Sequence, residues 1–196
     1  GFTPPFSWLV RRGVADWTVR DAADGVELTW TYRFTLSHAL AWPVAAPLLR
    51  VFMRGAMERC LAAIAALLAR ARTIAVVGLS TDPGRPSFGV ARAMRAYGYR
   101  IVPVNPEIGR WEGEPAFPTL AAAVEAQRAG SPIDIVDVFR RSEHVAAIVD
   151  DCLRLRLPAL WLQLGVIDEA AAARAAAAGM TVVMDRCILV ERRSLG

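Results

Sequence analysis

Residues 73–87 read TIAVVGLSTDPGRPS, a short apolar run that leads through a glycine-containing loop into a helical pattern. Residues 73–78 have the uninterrupted, β-branched character of a strand that is buried on both faces of a parallel sheet. The pattern of residues 87–97 predicts a helix, and Gly98 supplies its C-terminal stop. This stretch therefore predicts a strand–loop–helix unit.

The same unit repeats toward the C-terminus. Further strands are predicted at residues 100–104, 133–139, 159–164 and 181–184, and further helices at residues 119–128, 142–155 and 168–178. Alternating strands and helices with short loops predict an α/β fold. We expect a Rossmann-like five-stranded parallel sheet with helices on both faces, formed by residues 72–196.

The loop after the first strand carries groups that suit a phosphate. Gly78 permits a tight turn, Ser80, Thr81 and Ser87 offer hydroxyl groups, and Arg85 offers a charged fork. The helix that follows adds free N–H groups and the positive end of its dipole. A second interpretation stays open, in which glycine and proline make an ordinary turn and Ser87 caps the helix.

Two features limit the type of nucleotide. The Gly-x-Gly-x-x-Gly fingerprint is absent, and the second strand ends in VPVNP (residues 102–106), with no acid before Glu107. NAD needs an acid at this place to bind its ribose hydroxyls, so NAD is disfavoured. A ligand with a phosphorylated ribose stays open, because Arg110 or another arginine can meet its charge.

Sequence blocks spread over residues 73–195 resemble the stand-alone CoA-binding domain family, relatives of the nucleotide domain of the succinyl-CoA synthetase alpha subunit. In order, the blocks are IAVVGLS (74–80), RPS (85–87), VPVNP (102–106), IVDVFRR (135–141), LWLQLGV (160–166) and VMDRC (183–187). The resemblance implies coenzyme A as the ligand. It places the diphosphate over the first loop and the adenosine part beside the second and third strand ends.

The resemblance also implies which residues bind the ligand. Those that would hold the phosphates are Gly78, Ser80, Arg85, Pro86 and Ser87. Those that would line the nucleotide groove are Asn105, Pro106, Val138, Phe139 and Arg140. Taken individually, Val138 and Phe139 favour core positions. Arg140 and Arg141 do not suit a core, so we expect at least one of them to face the groove or an acid such as Glu143.

The composition excludes several other functions. All 23 basic residues are arginines, which excludes a P-loop lysine and a Schiff-base lysine. The arginines alternate with acids, so no nucleic-acid partner is expected. Residues 40–68 are apolar but carry four charges, so no membrane span is expected, and the chain shows no signal peptide. Cys60, Cys152 and Cys187 are widely spaced, which predicts reduced thiols in a cytoplasmic protein and no metal site.

Catalysis is not expected from these residues. Ligases related to the resembled family need a phosphorylated histidine in a further domain, which is not found up to Gly196. His144 has the setting of a solvent-exposed imidazole, and Cys187 that of a buried, inert thiol. We expect a non-catalytic module that binds CoA or acyl-CoA. The alternatives are an NAD(P)- or acyl-CoA-dependent enzyme that uses the same groove, and an interaction scaffold without a ligand.

Residues 1–71 show a different pattern. Residues 16–20 and 26–36 predict a hairpin around an Asp24-Gly25 turn, and residues 48–71 predict an amphipathic helix. Together they resemble the C-terminal part of a START-like domain (SRPBCC, polyketide-cyclase-like). A full domain of that type is longer, so we expect a fragment. Its uncovered sheet edge and apolar helix face predict a homo-oligomer formed through the hairpin and helix.

Overall fold

The computed structural model describes residues 10–22, 25–36, 42–127 and 130–195. These residues form two compact units, one up to Ala65 and the other from Ala66 to Leu195. The helix α1, Trp42–Arg70, continues through the division between them. The predicted boundary after residue 71 falls directly behind the end of this helix.

The first unit contains the predicted hairpin and most of the long helix. Strands β1 (Val10–Ala22) and β2 (Gly25–Leu36) pair antiparallel, with Trp17 opposite Trp30. Part of the predicted turn, Asp24, lies outside the described residues. Helix α1 begins six residues before the predicted residue 48 and includes Pro47. None of the helices in the described ranges combines the length and the apolar character that crossing a membrane requires.

The second unit is built on a five-stranded parallel sheet. Its strands are β3 (Thr73–Val77), β4 (Arg100–Val104), β7 (Ile135–Val138), β8 (Ala159–Leu162) and β9 (Thr181–Val183). They lie in the order β4-β3-β7-β8-β9 and all pair in parallel. The chain moves from β3 to β4 on one side and then returns to β7 on the other. This reversal makes the gap between β3 and β7 the switch point, where ligands of such sheets collect.

Helices connect the strands, as the repeated units predict. They are α2 (Pro86–Ala96), α3 (Leu120–Gln127), α4 (Val145–Arg154), α5 (Glu169–Ala177) and α6 (Ile188–Arg193). Helix α2 packs with α6, whereas α3 and α5 both pack with α4. The predicted Rossmann-like α/β fold is therefore confirmed. The short hairpin of β5 (Arg110–Trp111) and β6 (Glu114–Pro115), and helix α6, were not predicted.

The core of this unit is aliphatic, and four of its buried polar side chains lie toward one edge of the sheet. All the described side chains of β7 and β8 are buried, as a parallel sheet covered on both faces requires. The buried polar residues include Ser87, Asn105, Asp137 and Gln163, which lie on or just beyond the carboxyl ends of strands or at the start of α2. Because a buried polar group needs a hydrogen-bond partner, the hydrogen bonds of these side chains are expected to fix the loops at this edge of the sheet.

Candidate functional site

A groove of about 770 Å³ opens at the carboxyl edge of the sheet. The residues that line it are Gly78, Ser80, Arg85, Pro86, Ser87, Val90, Asn105, Glu107, Phe139, Arg140, Arg141, His144, Gln163, Leu164, Val166 and Cys187. They come from segments that are far apart in sequence and that follow different strands. Eight of the ten residues implied by the resemblance are among them, so the fold brings most of the predicted site together.

The loop after β3 is fixed by its own hydrogen bonds. Gly78 has a φ of +85° and donates its N–H to the carbonyl oxygen of Val104 at 2.8 Å. Ser87 is only 4% exposed, and its Oγ accepts the N–H of Ser80 at 3.1 Å. Helix α2 begins at Pro86 without a side-chain cap, so the alternative role of Ser87 as a helix cap is wrong. Ser87 instead holds the first turn of the loop.

Asn105 holds the same loop from the neighbouring strand. Its Nδ2 donates to the carbonyl oxygen of Leu79 at 2.9 Å, and its Oδ1 accepts the N–H of Glu107 at 3.0 Å. With 8% exposure, the amide is nearly buried. It occupies the place where a NAD-binding domain carries an acid. Its Nδ2 joins the two loops, and its Oδ1 holds the turn that follows β4. Asn105 therefore fixes the position of the loop after β3.

Three arginines line the groove in different settings. Arg85 is exposed, and its Nε lies 4.0 Å from Oδ2 of Asp82. Arg141 is also exposed, and its Nη1 lies 3.7 Å from Oε1 of Glu143. Arg140 is half-buried, and among the described residues no carboxylate pairs with its guanidinium. Both arginines after β7 thus line the groove, and Arg141 also contacts an acid, which agrees with the expectation that at least one of them would do so.

A second cavity, of about 250 Å³, lies beside the groove. The residues that line it are Val77, Val104, Pro106, Pro118, Thr119, Leu120, Arg140, His144, Ala147, Ile148 and Asp151. Most of its lining is apolar, and it shares Arg140 and His144 with the groove. Pro106, a predicted site residue, lies here. Val138 lines neither cavity, because its side chain is fully buried in the core, and Arg110 in β5 lines neither as well.

A buried carboxyl group lies beneath the groove and was not singled out from the sequence. Asp137, in the centre of β7, is 1% exposed, and its Oδ1 accepts a hydrogen bond of 2.7 Å from Nε2 of Gln163. Burial raises the pKa of Asp137 from 3.8 to about 7, against the opposing effects of the hydrogen bonds from Gln163 and from the Val138 backbone. The signal in the sequence is one acid inside the apolar run IVDV (residues 135–138).

The C-terminal side of the groove contains a thiol. Cys187 directly precedes α6 and is half-buried, so the expectation of a buried thiol is wrong. The preceding turn is held by Oδ1 of Asp185, which accepts the N–H of Gly165 at 2.7 Å, and by an ion pair between Arg186 and Glu191. Cys152, in contrast, is fully buried, and burial raises the pKa of its thiol to about 12.

Comparison with known proteins identifies relatives of the second unit. A family model of the CoA binding domain matches residues 72–193. YneT, an uncharacterized protein of Bacillus subtilis (strain 168), is 42% identical over 129 residues, covering 66% of this chain and 91% of YneT. Among solved structures, cell-free ID.343 from Thermus thermophilus is 37% identical with a TM-score of 0.63, covering 69% of this chain and 98% of its own. A hypothetical protein from Pyrococcus horikoshii OT3 is 26% identical with a TM-score of 0.62, covering 69% and 91%.

A parallel sheet with a groove at its switch point and a glycine turn after the first strand defines a Rossmann-like domain. With the match over residues 72–193, the chain belongs to the CoA binding domain family. The family match begins at residue 72 and gives no support to the START-like resemblance of residues 1–71, which stays a prediction.

Proposed function

We propose that the protein binds coenzyme A in the groove, with the diphosphate over the loop of residues 78–87. The observation that carries this proposal is the half-buried Arg140, which lacks a carboxylate partner among the described residues. Its Cδ lies 3.1 Å from the position of a Cβ on Gly78, so the side chain runs directly beside the glycine turn. A partly desolvated guanidinium without an anion is costly, and a phosphate would supply that anion.

The two cavities suit the two ends of such a ligand. The smaller cavity is lined mainly by apolar residues from the ends of β3 and β4 and the starts of α3 and α4, which suits the flat adenine ring. The larger groove continues past the loop to Gln163, Leu164 and Cys187, and the pantetheine arm would run along this side. The matching family is described as a CoA binding domain, which supports CoA as the ligand of this groove.

We assign no catalytic residue to this groove. Its polar side chains at the loop, Ser87 and Asn105, are occupied by hydrogen bonds that hold the backbone. The proposal is therefore a binding module for CoA or acyl-CoA. Asn105 at the end of β4 cannot accept both ribose hydroxyls as a carboxylate would, which disfavours NAD.

Calorimetric titration with CoA, acetyl-CoA, NAD and NADP tests this function. We expect saturable binding of CoA and acetyl-CoA and none of NAD. Arg140→Gln should lower CoA affinity about 10-fold to 100-fold, because a charged hydrogen-bond donor to phosphate is lost. Arg100→Gln is the matched control, since it makes the same charge change at the exposed start of β4, on the opposite edge of the sheet. If neither CoA nor acetyl-CoA binds but NADP does, the result would instead indicate an oxidoreductase. If none of the four ligands binds, it would indicate an interaction scaffold.

For the N-terminal unit, we infer self-association through the hairpin and helix α1. In its described residues the unit contributes a two-stranded sheet, and such sheets are marginally stable alone. On α1, Val51, Phe52 and Leu61 expose large apolar side chains. A second copy would cover them. Sedimentation at micromolar concentration tests this inference, and a monomer would contradict it without bearing on CoA binding.

A further inference from the structure

Two side chains stand at the boundary between the groove and the smaller cavity. Arg140 and His144 line both of them. Arg140 follows β7 directly, whereas His144 ends the 3₁₀ turn Ser142–His144 that leads into α4. Any ligand that fills both cavities must pass these two residues. The side chains at this boundary therefore determine which chemical groups the middle of a bound ligand can carry.

The layout proposed above fixes which part of CoA lies at this boundary. The ribose connects the adenine to the diphosphate, so a ligand with adenine in the smaller cavity and diphosphate at the loop has its ribose between them. In CoA this ribose carries a 3′-phosphate, a monoester with a charge of about −1.5 to −2 at neutral pH. A group of that charge needs a local cationic partner once it leaves bulk water.

The charged side chains around the boundary are arranged so that a phosphate could bind there. His144 has a half-exposed imidazole whose Nε2 lies 3.5 Å from Oε1 of Glu143. The same Glu143 carboxylate also contacts Arg141 at 3.7 Å, so it is shared between an imidazole and a guanidinium. Asp151 lines the smaller cavity and its carboxylate is paired with Arg154 at 2.5 Å. Glu143 thus contacts both Arg141 and His144, and Asp151 contacts Arg154, whereas Arg140 has no carboxylate partner among the described residues.

Resting on the proposed function, we propose that Arg140 and His144 form a subsite for the 3′-phosphate of the ribose, and that His144 makes the protein selective for CoA over dephospho-CoA. Arg140 lies beside Gly78 as well, and so contacts both the diphosphate and the ribose phosphate. His144, in the 3₁₀ turn that leads into α4, serves the ribose phosphate alone. This division of roles makes the two residues separable by experiment.

The experiment compares CoA with dephospho-CoA, which lacks only the 3′-phosphate, by competition calorimetry. For the unmodified protein we expect CoA to bind about 10-fold more tightly. His144→Gln should bring CoA to the affinity of dephospho-CoA and leave dephospho-CoA unchanged. His144→Arg, which places a permanently charged hydrogen-bond donor at this position, should preserve the preference. Arg140→Gln should weaken both ligands, and Arg100→Gln neither.

Each result separates this proposal from the one on which it rests. If the unmodified protein binds CoA and dephospho-CoA equally, or if His144→Gln weakens both by the same factor, the subsite is overturned while CoA binding stands. If the preference survives in His144→Gln, His144 is not its source and the proposal also fails. If neither ligand binds, the proposed function itself fails. Unchanged thermal unfolding of His144→Gln, which lies on the surface, verifies that the variant is folded.

Discussion

A Cβ atom on Gly78 would lie 2.7 Å from the carbonyl oxygen of Phe139. The ends of β3 and β7 approach each other at this point more closely than any side chain on residue 78 permits. The backbone of Gly78 also has a φ of +85°, which residues with a Cβ rarely adopt. Space and conformation therefore both require glycine at the switch point of the sheet.

Gly78→Ala should destabilise the protein by about 1–3 kcal/mol, since it adds backbone strain and a steric conflict with the carbonyl group. CoA affinity should fall as well, because the loop after β3 must move. The measurement is urea unfolding together with CoA titration. Gly89→Ala is the matched control: Gly89 lies exposed in α2 with no atom within 4 Å of its added Cβ. It should stabilise the protein by about 0.5–1 kcal/mol. Equal effects of the two substitutions would contradict this account.

Asn105→Asp should damage the site more than Asn105→Ala. The aspartate oxygen replaces the Nδ2 that donates to Leu79, so it meets a carbonyl oxygen at 2.9 Å in a place that is nearly buried. The aspartate variant loses the hydrogen bond to Leu79 and places a carboxylate against its carbonyl oxygen, which should lower the free energy of unfolding by about 2–4 kcal/mol. The alanine variant only loses the hydrogen bonds, which should cost about 1–2 kcal/mol. Thermal unfolding and CoA titration of both variants measure this. An aspartate variant as stable as the alanine variant would contradict the positioning role.

The sequence predicts the fold and the loop after β3 because both depend on local patterns. Strands of apolar residues alternate with helices, and a glycine followed by hydroxyl and arginine residues defines the loop. For Val138 the residue type favours the core, where it lies, whereas the family resemblance implies the groove; alternation could not decide between them, because β7 is buried on both faces. The Asp137–Gln163 pair joins two strands through a contact of residues 26 apart. Helix α6, with six residues, is too short for a periodic pattern.

The buried Asp137 should make stability depend on pH in an unusual direction. Its pKa is about 7 in the folded protein against 3.8 ordinarily. Between these values the folded state therefore binds more protons than the unfolded state, and stability falls as pH rises from about 4 to 7. Asp137→Asn keeps an oxygen to accept the bond from Gln163 but cannot ionise. It should be more stable than the unmodified protein by on the order of 4 kcal/mol at pH 8, and by little at pH 4.

Urea unfolding of both proteins at pH 4, 6 and 8 measures this difference. The control is Asp150→Asn, which removes an exposed ion pair of 2.7 Å with Arg174. Such a pair contributes about 0–1 kcal/mol, so this substitution should have a small effect. A stability difference for Asp137→Asn that does not grow between pH 4 and pH 8 would show that the carboxyl group is not the source.

The three cysteines should report on the ligand by their alkylation rates. Iodoacetamide should label the exposed Cys60 and the half-buried Cys187 in the folded protein. It should spare Cys152, because burial blocks access and raises the pKa of its thiol to about 12, which leaves little reactive thiolate.

Acetyl-CoA, which has no free thiol to consume the reagent, should slow the labelling of Cys187 several-fold, because Cys187 lines the groove. Cys60 lies on α1 and should react at the same rate with and without the ligand, so it serves as an internal control within each sample. Mass spectrometry of the digested protein gives the three rates separately. Binding with no protection of Cys187 would mean that the pantetheine arm leaves the groove before reaching β9, and the direction proposed for the ligand would then be wrong.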